Sequence, residues 1–210
     1  SFDLDGTLID SRADLASATN HVRGLFGLPP LAPGTLFRYV GEGARVLVAR
    51  ALGPAAEDRF DDGLAAFMAY YGNHLLDATR PYAGMVAVLD SLAARGVVLS
   101  VLTNKPEALS RAILDGLGLT SRFVEVVGGD SLTVRKPDPA GLERLRARSA
   151  TSRERMLLVG DSAIDVRTGR AGGVPVCGVT WGLSPDALTA DPPDYLIGEP
   201  AELLRIVERA

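Results

Sequence analysis

A chain of 210 residues, 47% hydrophobic and 23% charged, is long enough for one core or for a core carrying a smaller inserted unit, and its composition excludes a disordered polypeptide. A formal net charge of -4 argues against binding by phosphate neutralisation, so no nucleic-acid partner is expected. There is no apolar run near the roughly 20 residues of a membrane span and no basic-then-apolar leader, and the single cysteine, Cys177, has no internal partner; a cytoplasmic protein without membrane contact is expected.

The opening residues Ser1-Phe2-Asp3-Leu4-Asp5 read as the end of a strand. A buried parallel strand typically holds about five or six residues, so a few residues are expected to precede Ser1 in the natural protein. Residues 14–26 then carry Leu15, Ala18, Val22, Leu25 and Phe26 at helical spacing, and 43–52 and 55–76 read as further helices. From residue 97 the texture changes. Short apolar runs at 97–102, 123–127, 156–159, 174–179 and 195–197 read as strands, and 106–117, 139–148, 164–171 and 202–209 as helices. This alternation predicts parallel βαβ units with right-handed crossovers. The fold class expected is α/β, with a parallel-sheet core from 1–10 and 80–210 and an all-helical insert over 11–79.

The polar residues of interest stand where these strands end, the edge at which open parallel sheets bind ligands. Asp3 and Asp5 close the first strand, Thr103 follows the second, Lys136 lies in the loop after 123–127, and Asp161 and Asp165 follow 156–159. Asp3 and Asp5 are two apart and would share a face of a regular strand, with Gly6-Thr7 turning the backbone beyond them. Clustered carboxylates repel one another and call for a cation, and oxygen ligands that leave room for waters and a substrate phosphate suit Mg²⁺. One carboxylate can attack phosphorus, a second can protonate the leaving oxygen and then take a proton from water, and Lys136 with the Thr103 hydroxyl can steady the transferring phosphoryl group. Each element alone has a plainer reading: Asp-x-Asp as a solvated turn, Thr103-Asn104 and Asp161-Ser162 as helix caps, Lys136 as a solvated loop residue.

Asp3-Leu4-Asp5-Gly6-Thr7-Leu8, Leu102-Thr103, Lys136-Pro137 and Gly160-Asp161-Ser162-Ala163-Ile164-Asp165 resemble, in order, the four motifs of the haloacid dehalogenase-like hydrolase superfamily. The resemblance implies a Rossmann-like core with a helical cap inserted after the first motif. It implies Asp3 as nucleophile and metal ligand, and Asp5 as general acid/base with its backbone carbonyl on the metal. It further implies Thr103 and Lys136 as phosphate binders, Asp161 as a metal ligand and Asp165 as support for the Mg²⁺ site. Within the superfamily the chain resembles phosphoglycolate phosphatases, through Asp10-Ser11-Arg12-Ala13-Asp14-Leu15, Tyr39-Val40-Gly41-Glu42-Gly43-Ala44, Thr103-Asn104-Lys105-Pro106, Gly128-Gly129-Asp130 and Val179-Thr180-Trp181-Gly182. The implied partner is a small phosphorylated metabolite, with the chain a monomer or homodimer.

Substrate contacts are expected from Gly6, Thr7, Asn104 and Lys105 in the core and from Gly41, Gly43 and Arg45 in the insert. There Gly41-Glu42-Gly43 would turn free N–H groups toward an anion; Arg38 or Arg45, which flank it, would pair with a substrate carboxylate, and Lys105, which adjoins Thr103, is the better candidate for that role. His21, His74, Tyr70, Tyr71 and Trp181 read as surface or packing residues, and Cys177 as an inert thiol. Two alternatives stay open. A phosphosugar mutase of the same fold would carry a histidine where Leu15 stands, and a phospho-acceptor or binding module would not turn over substrate.

Overall fold

The computed structural model describes residues 1–183 and 186–208. Strands β1 (Ile9–Asp10) and β2 (Arg80–Pro81) pair antiparallel, Ile9 opposite Pro81 and Asp10 opposite Arg80. Between them the chain is helical: α1 (Arg12–Leu25), α2 (Pro33–Phe37), α3 (Ala44–Leu52), a 3-10 turn (Pro54–Arg59) and α4 (Phe60–Asn73). Leu15, Ala18 and Val22 of α1, Leu47, Val48 and Leu52 of α3, and Phe67 and Tyr71 of α4 are buried together, each set at the 3–4 residue spacing of one helix face.

After β2 come α5 (Met85–Ala94), β3 (Ser100–Leu102), α6 (Glu107–Gly116), β4 (Glu125–Val127), α7 (Ala140–Ser149), β5 (Leu158–Gly160), α8 (Ala163–Gly172), β6 (Val176–Val179), α9 (Ala187–Ala190), β7 (Tyr195–Ile197) and α10 (Leu203–Val207). β3 pairs parallel with β4, and β5 with β6 and β6 with β7, also parallel. Phe2 joins the two ladders. It bridges Val101 on one side and Val159 on the other, through Phe2 N to Ser100 O (2.9 Å), Leu102 N to Phe2 O (2.8 Å) and Asp3 N to Val159 O (2.8 Å). The result is one parallel sheet in the order β4–β3–Phe2 segment–β5–β6–β7. The chain builds outward from the centre in one direction and then in the other, so Phe2 marks the point where the strand order reverses, the position at which such sheets open a ligand crevice.

Successive strand residues point to opposite faces. Val101, Val126, Val159 and Cys177 enter one apolar cluster, while Leu102, Val127, Leu158 and Val176 enter the other. Both faces are therefore covered by helices, as an all-parallel sheet requires.

Several expected boundaries differ. The run at 97–102 is strand only from Ser100, and Val98 is 48% exposed. The helix expected over 55–76 is interrupted, because Gly53 ends α3 at φ 70° and Pro54 opens the 3-10 turn before α4. The last helix expected at 202–209 is α10 preceded by a 3-10 turn (Pro200–Glu202); residue 209 lies outside the described residues. Helix α5, apolar on most sides, sits at 85–94 where no element was expected; Met85, Val88, Leu89 and Leu92 are buried.

Candidate active site

Three polar residues emerge side by side at the carboxyl edge of the sheet, each directly after its strand: Asp3 after Phe2, Thr103 after Leu102 and Asp161 after Gly160. Lys136 reaches them from the loop after β4, and Asp165 from the first turn of α8. Lys136 Nζ lies 2.9 Å from Asp3 Oδ1 and 2.6 Å from Asp165 Oδ1. One oxygen from each of Asp3, Asp161 and Asp165 falls within 4.8 Å of the other two.

Asp165 has a local reason for its position. It forms a capping box with Ser162, whose Oγ donates to Asp165 Oδ2 at 2.6 Å, while the Ser162 N–H donates at 3.1 Å. Ser162 is thus a helix cap. Asp165, fully buried, orients Lys136.

Charge balance within the cluster is uneven. Burial alone would lower Lys136, but Asp165 and Asp3 outweigh it and hold the ammonium above its ordinary value. Burial likewise raises Asp3 above the ordinary carboxylate range, against the pull of Lys136. Among the described residues no cationic side chain is bonded to Asp161. Burial, reinforced by Asp3 and Asp165, pushes it up to about 8, opposed by the Leu183 N–H, which donates to Oδ2 at 2.7 Å. Three buried carboxylates against one ammonium, all offering oxygen, fit a hard divalent cation such as Mg²⁺.

The turn beyond Asp3 shapes the room for Asp161. Gly6 has φ 84°, and a Cβ there would stand 2.3 Å from Asp161 Oδ2; a Cβ on Gly182 would stand 2.2 Å from Asp161 Cβ. Thr7 Oγ1 lies 3.5 Å from Asp161 Oδ1, and its carbonyl accepts from Trp181 Nε1 at 3.2 Å. Gly6 and Thr7 were expected at the substrate; the structure places them around Asp161, and neither lines the cavity.

That cavity, about 60 Å³, lies between the sheet edge and the helices. Asp3, Asp5, Thr103 and Asp161 line it, along with Asn104, Lys105, Gly41, Gly43 and Tyr71. Lys105 Nζ is 2.9 and 3.0 Å from the two oxygens of Asp5, and Ser11 Oγ donates to Asp5 at 2.6 Å. Asn104 Nδ2 donates to Gly41 O at 2.9 Å and to Lys136 O at 3.0 Å, so it ties the α2–α3 loop to the Lys136 loop. Gly41 and Gly43 have φ 113° and 94°, and α3 begins directly after Gly43 without a capping side chain.

Arg45 does not join this group. The phase of α3 buries Leu47 and Val48, and Arg45 instead lies 4.9 Å from the Phe60 ring centroid and 3.8 Å from Asp61 on the exposed side. Arg38 is exposed and does not line the cavity either. Tyr71 and Ser11 were not expected at the site. Tyr71 stands four residues after Phe67 on the buried face of α4, a spacing that signals core. Only its terminal hydroxyl, which needs a buried partner, hints at more.

The sequence model of the family described as "Haloacid dehalogenase-like hydrolase" matches residues 1–179. The chain belongs to the haloacid dehalogenase-like hydrolases. It is 45% identical over 191 residues to a phosphoglycolate phosphatase of Rhodospirillum rubrum, covering 87% of this chain and 79% of that protein. It is 36% identical over 206 residues to a phosphoglycolate phosphatase of Agrobacterium fabrum, covering 96% and 88%. It also superposes on the crystal structure of a predicted phosphoglycolate phosphatase from Haemophilus somnus with a TM-score of 0.93, 34% identity and coverage of 98% and 95%. Like these relatives, this haloacid dehalogenase-like hydrolase is a phosphatase. Among the described residues no helix is long and apolar enough to cross a membrane.

Proposed function

We propose that this hydrolase is a Mg²⁺-dependent phosphomonoesterase that works through an aspartyl phosphate on Asp3, with 2-phosphoglycolate as its substrate. The observation that carries the reading is Asp3 itself, buried at the strand-order reversal, 2.9 Å from Lys136 Nζ and in one cavity with Asp5 and Thr103. The substrate is suggested by the relatives, which are named for phosphoglycolate. A lone buried thiol, Cys177, fits a reducing cytoplasm as the setting.

In this reading the helices over 11–79 act as a cap that admits a small phosphorylated metabolite and excludes water around it. Lys136 and the Thr103 hydroxyl hold the phosphoryl oxygens. A carboxylate oxygen of Asp3 attacks phosphorus, and the bond to the leaving oxygen breaks as Asp5 delivers its proton there. Asp5, now ionised, takes a proton from water, whose oxygen attacks phosphorus and releases phosphate with Asp3 restored. Bound among Asp3, Asp161, Asp165 and the Asp5 carbonyl, Mg²⁺ would supply charge compensation for the phosphoryl group. Leu15, the position at which a mutase would carry its histidine, lines the cavity as an apolar wall and favours hydrolysis.

Phosphate release from a panel of small phosphomonoesters, with and without Mg²⁺, tests this. Metal-dependent preference for 2-phosphoglycolate is expected. Preference for another ester would move the substrate and keep the chemistry, while no metal-dependent turnover of any ester would sink the reading.

A further inference from the structure

Lys105 is the one cationic side chain among the described residues that line the cavity, which otherwise presents the carboxylates of Asp3, Asp5 and Asp161. It is 7% exposed, and its ammonium is fully engaged: two contacts to Asp5, at 2.9 and 3.0 Å, and one to the Tyr71 hydroxyl at 2.7 Å. The same ammonium lies 4.5 Å from the Tyr71 ring centroid. The three partners come from three parts of the chain. Asp5 follows the central segment of the sheet, Lys105 follows β3, and Tyr71 stands on α4 of the helical insert. The wall around them is apolar, formed by Leu15, Leu47, Phe67 and Leu109.

This arrangement restricts what can take Lys105 from Asp5. A buried ammonium stripped of its carboxylate pays the full cost of an uncompensated charge, so a neutral hydroxyl or methyl group is no substitute for Asp5. An anionic group is. From this geometry we infer that Lys105 is the specificity-determining residue of the cavity: it reads a second anionic group, carried on the leaving-group end of the phosphoester, and Tyr71 is the positioning residue that holds the ammonium while it exchanges Asp5 for that group. The inference rests on the reading above, whose substrate ends in a carboxylate, and names the residues that recognise that end. The uncapped first turn of α3, at Gly43 and Ala44 on the same cavity, adds N–H groups of matching sign.

The exchange also explains why Tyr71 carries a hydroxyl at a core position. Held by Asp5 alone, Lys105 would follow that carboxylate wherever it turned. The phenol fixes one N–H direction independently of Asp5. Tyr71 is therefore a requirement for selectivity, whereas a phenylalanine would satisfy the packing against Phe67 equally well.

The test compares 2-phosphoglycolate with 2-hydroxyethyl phosphate, which replaces the carboxylate by a neutral hydroxyl-bearing end. The readout is the ratio of their kcat/KM values, measured on one preparation so that a general loss of folded enzyme cancels. Wild type should prefer the carboxylate by at least about 100-fold, because a site built to bond a group rejects the analogue lacking it. Lys105→Met should bring the ratio to within a few-fold of one, and Lys105→Arg should recover part of it. Tyr71→Phe should cut the ratio by about tenfold, as expected for loss of a hydrogen bond to a charged group, chiefly through KM for 2-phosphoglycolate. Should Lys105→Met not fold, the Tyr71→Phe and Lys105→Arg ratios decide alone. A ratio that is the same in every folded variant, or near one in wild type, overturns the inference and leaves the phosphatase reading standing. Turnover of neither ester by wild type, with another phosphomonoester of the panel hydrolysed, overturns the inference alone; turnover of no ester at all overturns both.

Discussion

Asp14 holds Thr79 across the two connections between the sheet and the helical insert: its Oδ2 accepts from the Thr79 N–H at 2.8 Å and from Thr79 Oγ1 at 2.7 Å. The Ala78 N–H donates to the same carboxylate at 3.0 and 3.1 Å. Asp14 is 3% exposed and sits in the first turn of α1, where its charge also faces unsatisfied helix N–H groups. One buried side chain thus satisfies the backbone where the chain returns from α4 to β2. Removing it leaves three donors without this partner, two of them on the buried Thr79. Asp14→Ala should cost about 3 kcal/mol of unfolding free energy, and Thr79→Val, which removes one donor, about 1 kcal/mol. Urea unfolding of both variants measures this. Equal, sub-kcal losses would mean that water satisfies these groups.

Asp3→Asn keeps the shape of the side chain and removes the proposed nucleophile. Lys136 retains Asp165 at 2.6 Å, so its ammonium is not left unpaired. The variant should therefore unfold at a temperature close to wild type while turnover falls by at least about a thousandfold, the scale seen when a nucleophile is deleted from a site that acts as a unit. Activity near wild type would move the nucleophile elsewhere.

With Asp161 as a ligand of the proposed metal, metal binding and stability are linked. With its carboxyl pushed up to about 8 by burial beside Asp3 and Asp165, the metal-free folded state holds a proton that the unfolded chain has already released. Where the folded state binds more protons, stability falls as pH rises. Metal-free protein should lose stability between the ordinary carboxylate range and about pH 8. Added Mg²⁺ should raise Tm more at pH 8 than at pH 6, where it must displace the proton. Asp161→Asn should leave only the part of the metal-free slope that Asp3, also raised by burial, contributes, and should abolish the Mg²⁺ response. A Tm indifferent to Mg²⁺ at both values would count against this site as the metal centre.

The candidate site was legible because its residues follow strand ends, and strand ends in a parallel sheet converge whatever lies between them. Asp3, Thr103 and Asp161 needed only the β-branched and apolar runs at 1–5, 97–102 and 156–159 to be placed together. The insert was legible as helix but not in detail. Arg45 looked like a ligand because it follows Gly43, but the phase of α3 is set by Leu47 and Val48, and it turns the guanidinium toward Phe60 and Asp61. Tyr71 was hidden by its own periodicity, which marks core equally for a tyrosine that only packs and one that also bonds Lys105. The clamp from Asp14 to Thr79 joins residues 65 apart in sequence, and local spacing carries no trace of such a pair. Helix α5 escaped because it is apolar on most sides, so no polar face marks its period.

Gly6 and Gly182 both press on Asp161, and they separate two effects that are usually mixed. At Gly182 an added Cβ meets Asp161 Cβ at 2.2 Å, with no backbone conflict. At Gly6 it meets Asp161 Oδ2 at 2.3 Å and must in addition adopt φ 84°, a region that L side chains enter at a cost of about 1–2 kcal/mol. Each substitution to alanine displaces the same carboxylate, so both should weaken the Mg²⁺-induced rise in Tm. Only Gly6→Ala carries the backbone term, so its metal-free form should be the less stable of the two by roughly that 1–2 kcal/mol. Gly6 also donates its N–H to Ile9 O at 2.9 Å, closing the turn that leads into β1, so its strain cannot be relieved by swinging the loop away without opening that bond. If the two variants lost stability equally while both kept the wild-type Mg²⁺ response, the room around Asp161 would not be what these glycines provide.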